Sequence, residues 1–583
     1  MKTIVTSVID FFKKENGEPR LKRIFFVSGL LTALPFVFRW MFLLSYFTLI
    51  PMVLMLLKYG TEIKKRQAFS TGFIFGMGYF GVLYFWFTRL YPMEFAGITP
   101  FQSIIIVLVC WLGLATVQAL EMGCFVLIYR LIRPGKDKKI IGGALFIAMW
   151  VVFEFQQTLG WRGVPWGRLA VSQSIAPVFQ QSASLFGSYF VSAVIVAVNV
   201  FLALTLYYIF DSEGKEFKEK FVASLKEKKS VIYGSVAVGI FALNLIFGAV
   251  RLLAYNEKAG KEITAAVIQG NISSLEKWEV NAVEKSTDKY IELTRKCVEK
   301  SEGGVDVVVW PETVIPTNLV YENNKYGTKK SKYATKISEM AKELQVTVFV
   351  GAFYNFEDEY MGEVSDYNAI YIFHPDGTLG EERYYKRHLV PFGEYTPMEG
   401  LIMTFLPVLG TLNILSEPLT PGTDSEIFDT VQGKIGSLIC FDSIYEMLAI
   451  DAVRDGAEIL TLSTNDSWFS DSAAVWQHNS HACLRAIESG RYIVRAANTG
   501  VSAIITPEGR TLVKIKPLET DYEFATVYMR SDRTLYSYIG NVFVLIAFLG
   551  VLVIAAYPYV KKLLNDDGSS RPQREERRHF MDY

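Results

Sequence analysis

The feature that most constrains the fold of this chain is the uneven distribution of its apolar residues. Long apolar runs fill the chain before about residue 256 and return after about residue 535, whereas the stretch between them has the mixed composition of a soluble domain. A helix needs about 20 mostly apolar residues to cross a bilayer. The 583-residue chain is therefore predicted to carry membrane helices on both sides of a soluble domain, divided as 1–257, 258–533 and 534–583.

Eight apolar runs are candidate membrane spans. Seven precede the soluble domain and one follows it, and they are centred on 24–39, 40–57, 69–88, 101–130, 139–157, 183–210, 231–252 and 537–560. The first two are short and meet at Arg39-Trp40, so a re-entrant pair is the alternative there. No small-residue cleavage site follows the first run, which argues against a cleavable signal peptide.

The charge of the loops predicts the orientation of these spans. Lys and Arg are concentrated in the tail after 560 and in the loops 11–23, 58–67, 130–139 and 211–229. The intervening loops 90–100 and 158–180 contain few. Because basic loops face the cytoplasm, both termini are predicted there and the soluble domain on the opposite side. The formal net charge of zero and the lack of a folded basic face argue against a nucleic-acid partner.

One loop between apolar runs, TLGWRGVPWGRLA at 158–170, is rich in Gly and contains Pro165 and two Trp. This composition favours a non-helical segment at the membrane interface, where Trp prefers the headgroup level. Two interpretations stay open. The loop is either a connector with aromatic anchors, or part of a wall through which lipid enters, with Arg162 or Arg168 pairing a headgroup phosphate.

Between about 260 and 530 the pattern changes to short β-branched runs that alternate with helical stretches. Strands are predicted over 263–271, 305–313, 346–353, 366–377, 435–442, 457–466 and 501–510. Helices are predicted over 279–300, 331–343, 445–455 and 473–491. HPDG and TPEG are turn sequences that join hairpin strands. The mixture predicts an α/β sandwich with sheets inside and helices outside, and catalytic groups at the carboxyl ends of strands.

Three reactive side chains end such strands or lie in loops rich in Gly and Pro. Cys440 closes KIGSLIC, Glu312 follows VDVVVWP, and YYKRHLVPFGEYTP carries Lys386 with Glu394 eight positions later. A thiol, a carboxylate and an ammonium are the parts of an acyl-transfer site. Each residue alone has an ordinary alternative, as a core thiol, a turn carboxylate or a solvated cation. Their combination is what favours catalysis.

The other cysteines and histidines predict no further chemistry. Cys297 and Cys483 lie in helical patterns and are expected to be small buried hydrophobes. His388 and His478 are expected to make structural hydrogen bonds. No CxxC pair, metal-ligand spacing or Gly-rich phosphate loop occurs in the sequence, so no metal and no cofactor are expected.

The order WPET, YYKRHLVPFGEYTP and ICFDS resembles the nitrilase superfamily of carbon–nitrogen hydrolases. The IQGN opening, NDSWF followed by WQH, and the eight apolar runs extend the resemblance over nearly the whole chain. With them, the chain resembles the membrane-embedded branch, the apolipoprotein N-acyltransferase family. The resemblance implies an αββα sandwich on a membrane frame in the bacterial cytoplasmic (inner) membrane. It also implies a monomer, a phospholipid acyl donor and a diacylglyceryl-modified apolipoprotein acceptor.

The same resemblance implies roles for single residues. Glu312 matches the general base, Lys386 the transition-state stabiliser, and Cys440 the nucleophile that carries the acyl group as a thioester in a ping-pong reaction. Glu394 matches an additional acidic residue. Asp442 stands where the family often has Glu, so its charge is kept and its reach is shorter. Substrate-binding positions are matched more loosely by Gln269, Asn271, Trp278, Trp468 and Phe469.

A thioester must be kept from water, and an apolar pocket formed by Trp468-Phe469 and 393–415 is expected to do this. The run from Leu401 to Leu409 is either ordinary core or a lid that dips into the interface. Two alternative functions stay open. A membrane-tethered amidase for small soluble amides would not need the apolar frame, and a non-enzymatic scaffold would not need the three reactive residues.

Overall fold

The computed structural model describes residues 20–566 with gaps at 94–97, 134, 136, 214–215, 227, 257, 274–275, 280, 324–326, 359–362, 401–403 and 405–417. The N-terminal part is helical. Its helices are α1 (Leu21–Val37), α2 (Ile50–Tyr59), α3 (Lys65–Leu83), α4 (Pro100–Ile132), α5 (Lys139–Gln156), α6 (Ala183–Phe186), α7 (Ser188–Asp211), α8 (Phe217–Lys226) and α9 (Lys228–Ala254).

Among the described residues, six segments are long and apolar enough to cross a bilayer: Arg39–Tyr59, Pro100–Ile132, Lys139–Gln156, Ser188–Asp211, Lys228–Ala254 and Val542–Lys561. The predicted spans 24–39 and 69–88 are also largely helical, as α1 and α3, but lie outside this set. These two helices pack closely, because a Cβ at Gly29 would lie 2.2 Å from the carbonyl oxygen of Phe75. The predicted boundary at Arg39-Trp40 begins a 3₁₀ segment, Arg39–Tyr46.

The following part contains two stacked β-sheets. In chain order the strands are β1 (Lys261–Gln269), β2 (Val307–Val309), β3 (Ile315–Asn318), β4 (Val320–Asn323), β5 (Gly327–Lys330), β6 (Thr347–Asp358), β7 (Glu363–Phe373), β8 (Leu379–Tyr385), β9 (Ile427–Asp429), β10 (Lys434–Ile439), β11 (Ile459–Thr464), β12 (Ile493–Ala497), β13 (Ser502–Ile505), β14 (Thr511–Ile515) and β15 (Asp521–Met529). One sheet has the order β15-β1-β2-β6-β7-β8, with β3 on β6, and the other β14-β13-β12-β11-β10-β9.

Helices cover both outer faces of the stacked sheets. The helices α10 (Ala282–Lys300) and α11 (Lys332–Leu344) pack on the first sheet, and α12 (Glu446–Arg454) and α13 (Ala473–Ser489) on the second. The core between the sheets is built from β-branched and aromatic residues of the kind that predicts strands, among them Ile263, Val267, Phe349, Ile435, Ile459 and Val494. The predicted αββα sandwich is confirmed.

After β15 the chain returns to helix, in α14 (Leu535–Ile539) and α15 (Val542–Asp566). The layer of α12 and α13 faces the N-terminal helices, and one continuous hydrophobic cluster joins them, including Phe75, Trp150, Leu169, Leu448 and Leu484. The end of the second sheet that carries Cys440 therefore lies beside the helical part.

Candidate active site

Cys440 begins a tight turn at the carboxyl end of β10. The turn is a 3₁₀ segment, Cys440–Ile444, and Cys440 itself has a φ of +47°. A side chain with a Cβ is disfavoured in this left-handed region by about 1–3 kcal/mol, so the surroundings must hold it there. Asp442 supplies part of that hold, because its carboxylate accepts hydrogen bonds from the backbone N–H of Ile439 at 3.0 Å and of His388 at 2.8 Å.

Asp442 also accepts a hydrogen bond from the hydroxyl of Tyr384 at 2.9 Å. Its side chain therefore joins the turn of Cys440 to the end of β8 and to the loop that follows Lys386. The carboxylate is fully buried and bonded to three donors, and no hydrogen bond or ion pair joins it to Lys386 in the described contacts.

Glu312 and Lys386 form a buried ion pair. The Nζ atom of Lys386 lies 3.0 Å from Oε1 of Glu312 and 2.7 Å from Oε1 of Glu394. Glu312 follows β2 of the first sheet, yet its Oε2 accepts from the backbone N–H of Asn465, which follows β11 of the second sheet, at 2.8 Å. Both sheets thus present strand ends at one edge, where Glu312, Lys386 and Glu394 contact one another and Cys440 lies near the charges of Glu312 and Lys386. Their catalytic roles stay predictions.

Close packing beneath Glu312 depends on a glycine. Gly351 of β6 lies under the loop that carries the carboxylate, and a Cβ there would be 2.3 Å from the carbonyl oxygen of Pro311. Asn368 of β7 fixes the carboxylate from another side, donating from Nδ2 to Oε1 of Glu312 at 2.7 Å and to Glu394 at 3.4 Å.

The charges at this edge set the protonation states. Burial raises the pKa of the Cys440 thiol, and the Glu312 carboxylate raises it further, against the opposing charge of Lys386. Burial also works to raise the pKa of Glu312, but Lys386 and the hydrogen bonds outweigh it and hold that pKa below its usual value. The pKa of Lys386 is lowered by burial and raised by the two carboxylates, which prevail. These shifts favour a protonated Cys440 thiol beside an ionised Glu312 carboxylate and a charged Lys386 ammonium.

A second ammonium, Lys277, lies near Glu312. Its Nζ donates to Oγ1 of Thr313. Burial lowers its pKa to about 8, opposed by the charges of Glu312 and Glu394. A small cleft borders Lys277 and Glu312 and is lined by Ile272, Lys277, Ala282, Ser286, Glu312, Thr313, Val314, Pro316 and Asn498.

The predicted substrate-binding residues differ in their burial and their contacts. Gln269 is buried and donates to the carbonyls of Lys516 at 2.8 Å and Glu519 at 2.9 Å, so it braces the loop before β15. Asn271 donates to the carbonyl of Leu518 at 2.8 Å, beside the cleft. The side chain of Trp278 and most of the predicted lid from Leu401 to Leu409 lie outside the described residues.

Phe469 belongs to an aromatic wall that joins the sandwich to the helical part, and Trp468 is half-buried beside it. The ring of Phe469 packs on Trp86 at 4.8 Å and on Trp166 at 5.9 Å between centroids. Trp166 lies in the Gly-rich loop at 158–170, which is non-helical as predicted apart from 3₁₀ turns such as Pro165–Gly167.

The same loop corrects one sequence expectation. Arg168 is 1% exposed, and its guanidinium donates to Glu446 at 3.1 Å, Ser188 at 2.6 Å and Tyr189 at 2.9 Å. It ties the loop and α7 to the first residue of α12, shortly after Cys440. The interpretation in which Arg168 pairs a lipid phosphate is wrong, because the side chain is already enclosed by protein. Arg162 is exposed and stays a prediction.

Several site residues had no signal strong enough to single them out. Asn368 is a polar residue in the middle of the strand DYNAIYIF, and Asn465 follows a strand in NDSWF. Lys277 lies in the polar stretch SSLEKWE, where nothing distinguishes it from an ordinary lysine. His388 stacks its ring on Tyr445 at 3.9 Å between centroids, and Nδ1 of that ring is buried with no hydrogen-bond partner among the described residues. The expected burial of Cys297 and Cys483 is confirmed.

No group of three or more His, Cys, Asp and Glu side chains that could hold a metal ion occurs in the described part of the chain. The expectation that no metal and no cofactor are needed stays a prediction.

We expect Asp442 to make stability depend on pH. Burial raises its pKa to about 6, whereas an unfolded Asp titrates near about 3.9. The folded state therefore binds this proton more tightly, and the stability that it contributes is present below about pH 4 and is lost as the pH rises through about 6. Relative to wild type, the free energy of unfolding of Asp442→Asn should rise over that interval by up to about 3 kcal/mol.

Denaturant unfolding in detergent micelles at the two ends of the interval measures this difference. Asp471→Asn, at an exposed position, is the matched control and should show no such trend. A difference between Asp442→Asn and wild type that stays constant with pH would contradict the expected titration.

Family models match two consecutive parts of the chain. Residues 28–201 match "Apolipoprotein N-acyltransferase N-terminal domain", and residues 264–533 match "Carbon-nitrogen hydrolase". An apolipoprotein N-acyltransferase from Geobacter metallireducens is 30% identical over 542 residues, which cover 92% of this chain and 95% of that protein. The chain belongs to the apolipoprotein N-acyltransferase family.

Two further comparisons accompany this assignment. The apolipoprotein N-acyltransferase of Methylococcus capsulatus is 30% identical over 513 residues, covering 85% of this chain and 89% of that protein. The solved structure of Nit3 from Saccharomyces cerevisiae, a nitrilase-superfamily protein, aligns with 47% of this chain and 93% of its own chain. Its sequence identity is 19% and its TM-score is 0.35, so the family assignment does not depend on it. Membership of the apolipoprotein N-acyltransferase family confirms the predicted resemblance and the predicted enzyme class, an acyltransferase.

Proposed function

We propose that this apolipoprotein N-acyltransferase family member moves an acyl chain from a membrane phospholipid to the N-terminal amine of a diacylglyceryl-cysteine on an apolipoprotein. The observation that carries the proposal is the placement of Glu312, Lys386 and Cys440 at one edge of the sandwich, beside the helical part. The names of the relatives supply the acceptor, and the aromatic wall at Phe469 and Trp166 suits a donor that arrives from lipid.

In the first half-reaction, Glu312 accepts the Sγ proton while Sγ of Cys440 bonds to the ester carbonyl carbon of the phospholipid. Lys386 and a backbone N–H after Cys440 stabilise the negative charge that develops on the carbonyl oxygen. The bond from that carbon to the glycerol oxygen then breaks. Glu312 returns the proton to the departing oxygen, which leaves a lysophospholipid and a thioester on Cys440.

In the second half-reaction, the α-amine of the acceptor attacks the thioester carbon, and Glu312 removes a proton from the attacking nitrogen. The carbon–sulfur bond breaks, the thiolate of Cys440 leaves, and the proton returns to it. Because the amide is more stable than the thioester, the transfer runs towards acylated protein. One site serves the two lipid-anchored substrates in turn, so the kinetics are ping-pong.

The contact between the site and the helical part favours acyl transfer over the hydrolysis of small soluble amides. Phe469 packs its ring on Trp86 and Trp166, and the turn of Cys440 leads directly into Glu446, which pairs with Arg168. An apolar surround that excludes water protects a thioester from hydrolysis. A hydrolase would gain nothing from that exclusion.

The arrangement in the membrane is part of the proposal. We infer eight spans, with α1 and α3 added to the six long apolar segments, and the divisions 1–257, 258–533 and 534–583. The alternation of basic and non-basic loops supports an orientation with the sandwich on the extracytoplasmic side. We also infer a monomer, and a bacterial inner membrane because the relatives are bacterial. A reporter fused after residue 256 should be active only outside the cytoplasm, and activity inside would reverse the orientation.

The function is tested by intact mass. Purified enzyme mixed with vesicles of phosphatidylethanolamine and phosphatidylglycerol should gain the mass of one acyl group. A diacylglyceryl-cysteinyl peptide should then remove the adduct and itself become N-acylated. Cys440→Ala should gain no mass, whereas Cys483→Ala, which changes a buried thiol on α13, should behave as wild type. A wild-type enzyme that forms no adduct, or whose adduct water removes faster than the peptide does, would overturn the proposal.

A further inference from the structure

The carbonyl group of Cys440 is held more firmly than an ordinary turn requires. The φ of Cys440 is +47°, where a residue with a Cβ stays only if its neighbours restrain it. The carbonyl oxygen accepts a hydrogen bond from Oγ of Ser443 at 2.8 Å and lies 3.1 Å from Nε2 of His478. A histidine from α13 therefore reaches the backbone of the proposed nucleophile.

His478 is fixed on its other side by a buried cluster. Its Nδ1 lies 2.8 Å from Oδ1 of Asp466, and Asp466 accepts from Nη2 of Arg495 at 2.7 Å and from Oγ1 of Thr464 at 3.1 Å. All of these side chains are buried, where such networks are strong. A carbonyl and a carboxylate only accept, so a ring nitrogen must carry a proton to bond either of them, and both contacts are hydrogen bonds at the same time when both nitrogens are protonated.

Ser443 contacts His478, which contacts Asp466, as the three members of a serine hydrolase triad do. Oγ of Ser443 lies 3.0 Å from Nε2 of His478. Ser443 is 0% exposed, so its hydroxyl cannot meet a substrate carbonyl. The hydroxyl instead shares the carbonyl oxygen of Cys440 with the histidine. The cluster therefore serves the backbone of the thiol and is no second nucleophile.

We propose that His478 is a positioning residue, which holds the carbonyl of Cys440 and thereby keeps the left-handed backbone that aims the thiol between Glu312 and Lys386. The proposal rests on the proposed role of Cys440 as the acyl-accepting nucleophile. Contact with the helical part strengthens it. The ring of Trp166 packs on His478 at 5.7 Å between centroids, so the 158–170 loop contacts the histidine that bonds the turn of Cys440.

Two substitutions of His478 test its ring nitrogens one at a time: Nε2, which faces Cys440, and Nδ1, which faces Asp466. An Asn side chain places its amide near the position of Nδ1, whereas a Gln amide reaches the position of Nε2. His478→Asn should therefore keep the contact with Asp466, lose the carbonyl of Cys440, and lower kcat of acyl-adduct formation about 100-fold, because a small misplacement of reacting atoms costs that much. KM for phospholipid should not change. His478→Gln should stay within about tenfold of wild type.

Amide hydrogen exchange in 440–445 supplies a readout that needs no substrate. It should quicken in His478→Asn and stay slow in His478→Gln. His481→Gln is the matched control, since His481 is buried on the same helix and contacts the carbonyl of Trp166 at 3.3 Å. If His478→Asn does not fold, His478→Gln alone decides the case through its kcat and its exchange.

Equal effects of the Asn and Gln variants, or a change confined to KM, would refute the positioning role. Absence of any adduct in wild type would refute the proposed function, and the exchange measurement would still decide the role of His478.

Discussion

Replacing Lys386 with Met is expected to eliminate acyl transfer and to destabilise the fold around the site. The ammonium is 1% exposed and lies 3.0 Å from Glu312 and 2.7 Å from Glu394, so its removal takes the bonded countercharge away from two carboxylates. Removing one partner of a buried pair costs roughly 3–5 kcal/mol. The pKa of Glu312 should rise at the same time, because the charge of Lys386 is the main influence that lowers it.

Activity should fall by at least about 10⁴-fold in Lys386→Met, because the proposed oxyanion donor and the ionised form of the proposed base are lost together. Adduct formation measured by intact mass and thermal unfolding in detergent report the two effects separately. Arg387→Met is the matched control, since Arg387 is the adjacent residue and its guanidinium pairs with Asp451 at 3.4 Å, outside the site.

A triple variant distinguishes charge from packing. Combining Lys386→Met with Glu312→Gln and Glu394→Gln removes the uncompensated charges, so stability should return towards that of wild type while activity stays absent. Stability that remains as low as in the single variant would show that the stem of the lysine, and not its charge, carries the effect.

The sequence predicts the edge at which the site forms because buried strands have a readable pattern. β10 and β11 pair in parallel and are buried on both faces, so they appear as β-branched runs that end at Cys440 and Asn465. Glu312 follows β2 for the same reason. The fold class then places these carboxyl ends together, before any contact is known.

What the sequence does not show is which polar residues fold back onto that edge. Arg168 and Glu446 are separated by 278 positions, and nothing local marks either as half of a buried pair. Arg495 lies in β12, where its charge breaks the apolar pattern and hides the strand. Such residues are stabilised by partners from distant elements, and only the tertiary structure supplies those partners.

Glu312→Gln should separate the reactivity of the thiol from the transfer of acyl groups. The amide cannot accept the thiol proton or return it to the departing glycerol oxygen, so adduct formation should fall by about 10²–10⁴-fold. Alkylation of Cys440 by iodoacetamide needs only the thiolate.

The Glu312 carboxylate raises the pKa of Cys440, so removing its charge should lower that pKa. More of the thiol is then ionised at a given pH, and the pH profile of alkylation should move to lower pH while acyl transfer is nearly lost. Glu508→Gln, which changes a buried carboxylate on the loop before β14, is the control and should alter neither reaction. A parallel loss of alkylation and transfer would mean that Glu312 acts only by holding the fold, and unchanged transfer would remove it from the proton path. Opposite movement of the two rates is the result that only a proton-transferring Glu312 produces, because charge removal and base removal act on the same thiol in opposite directions.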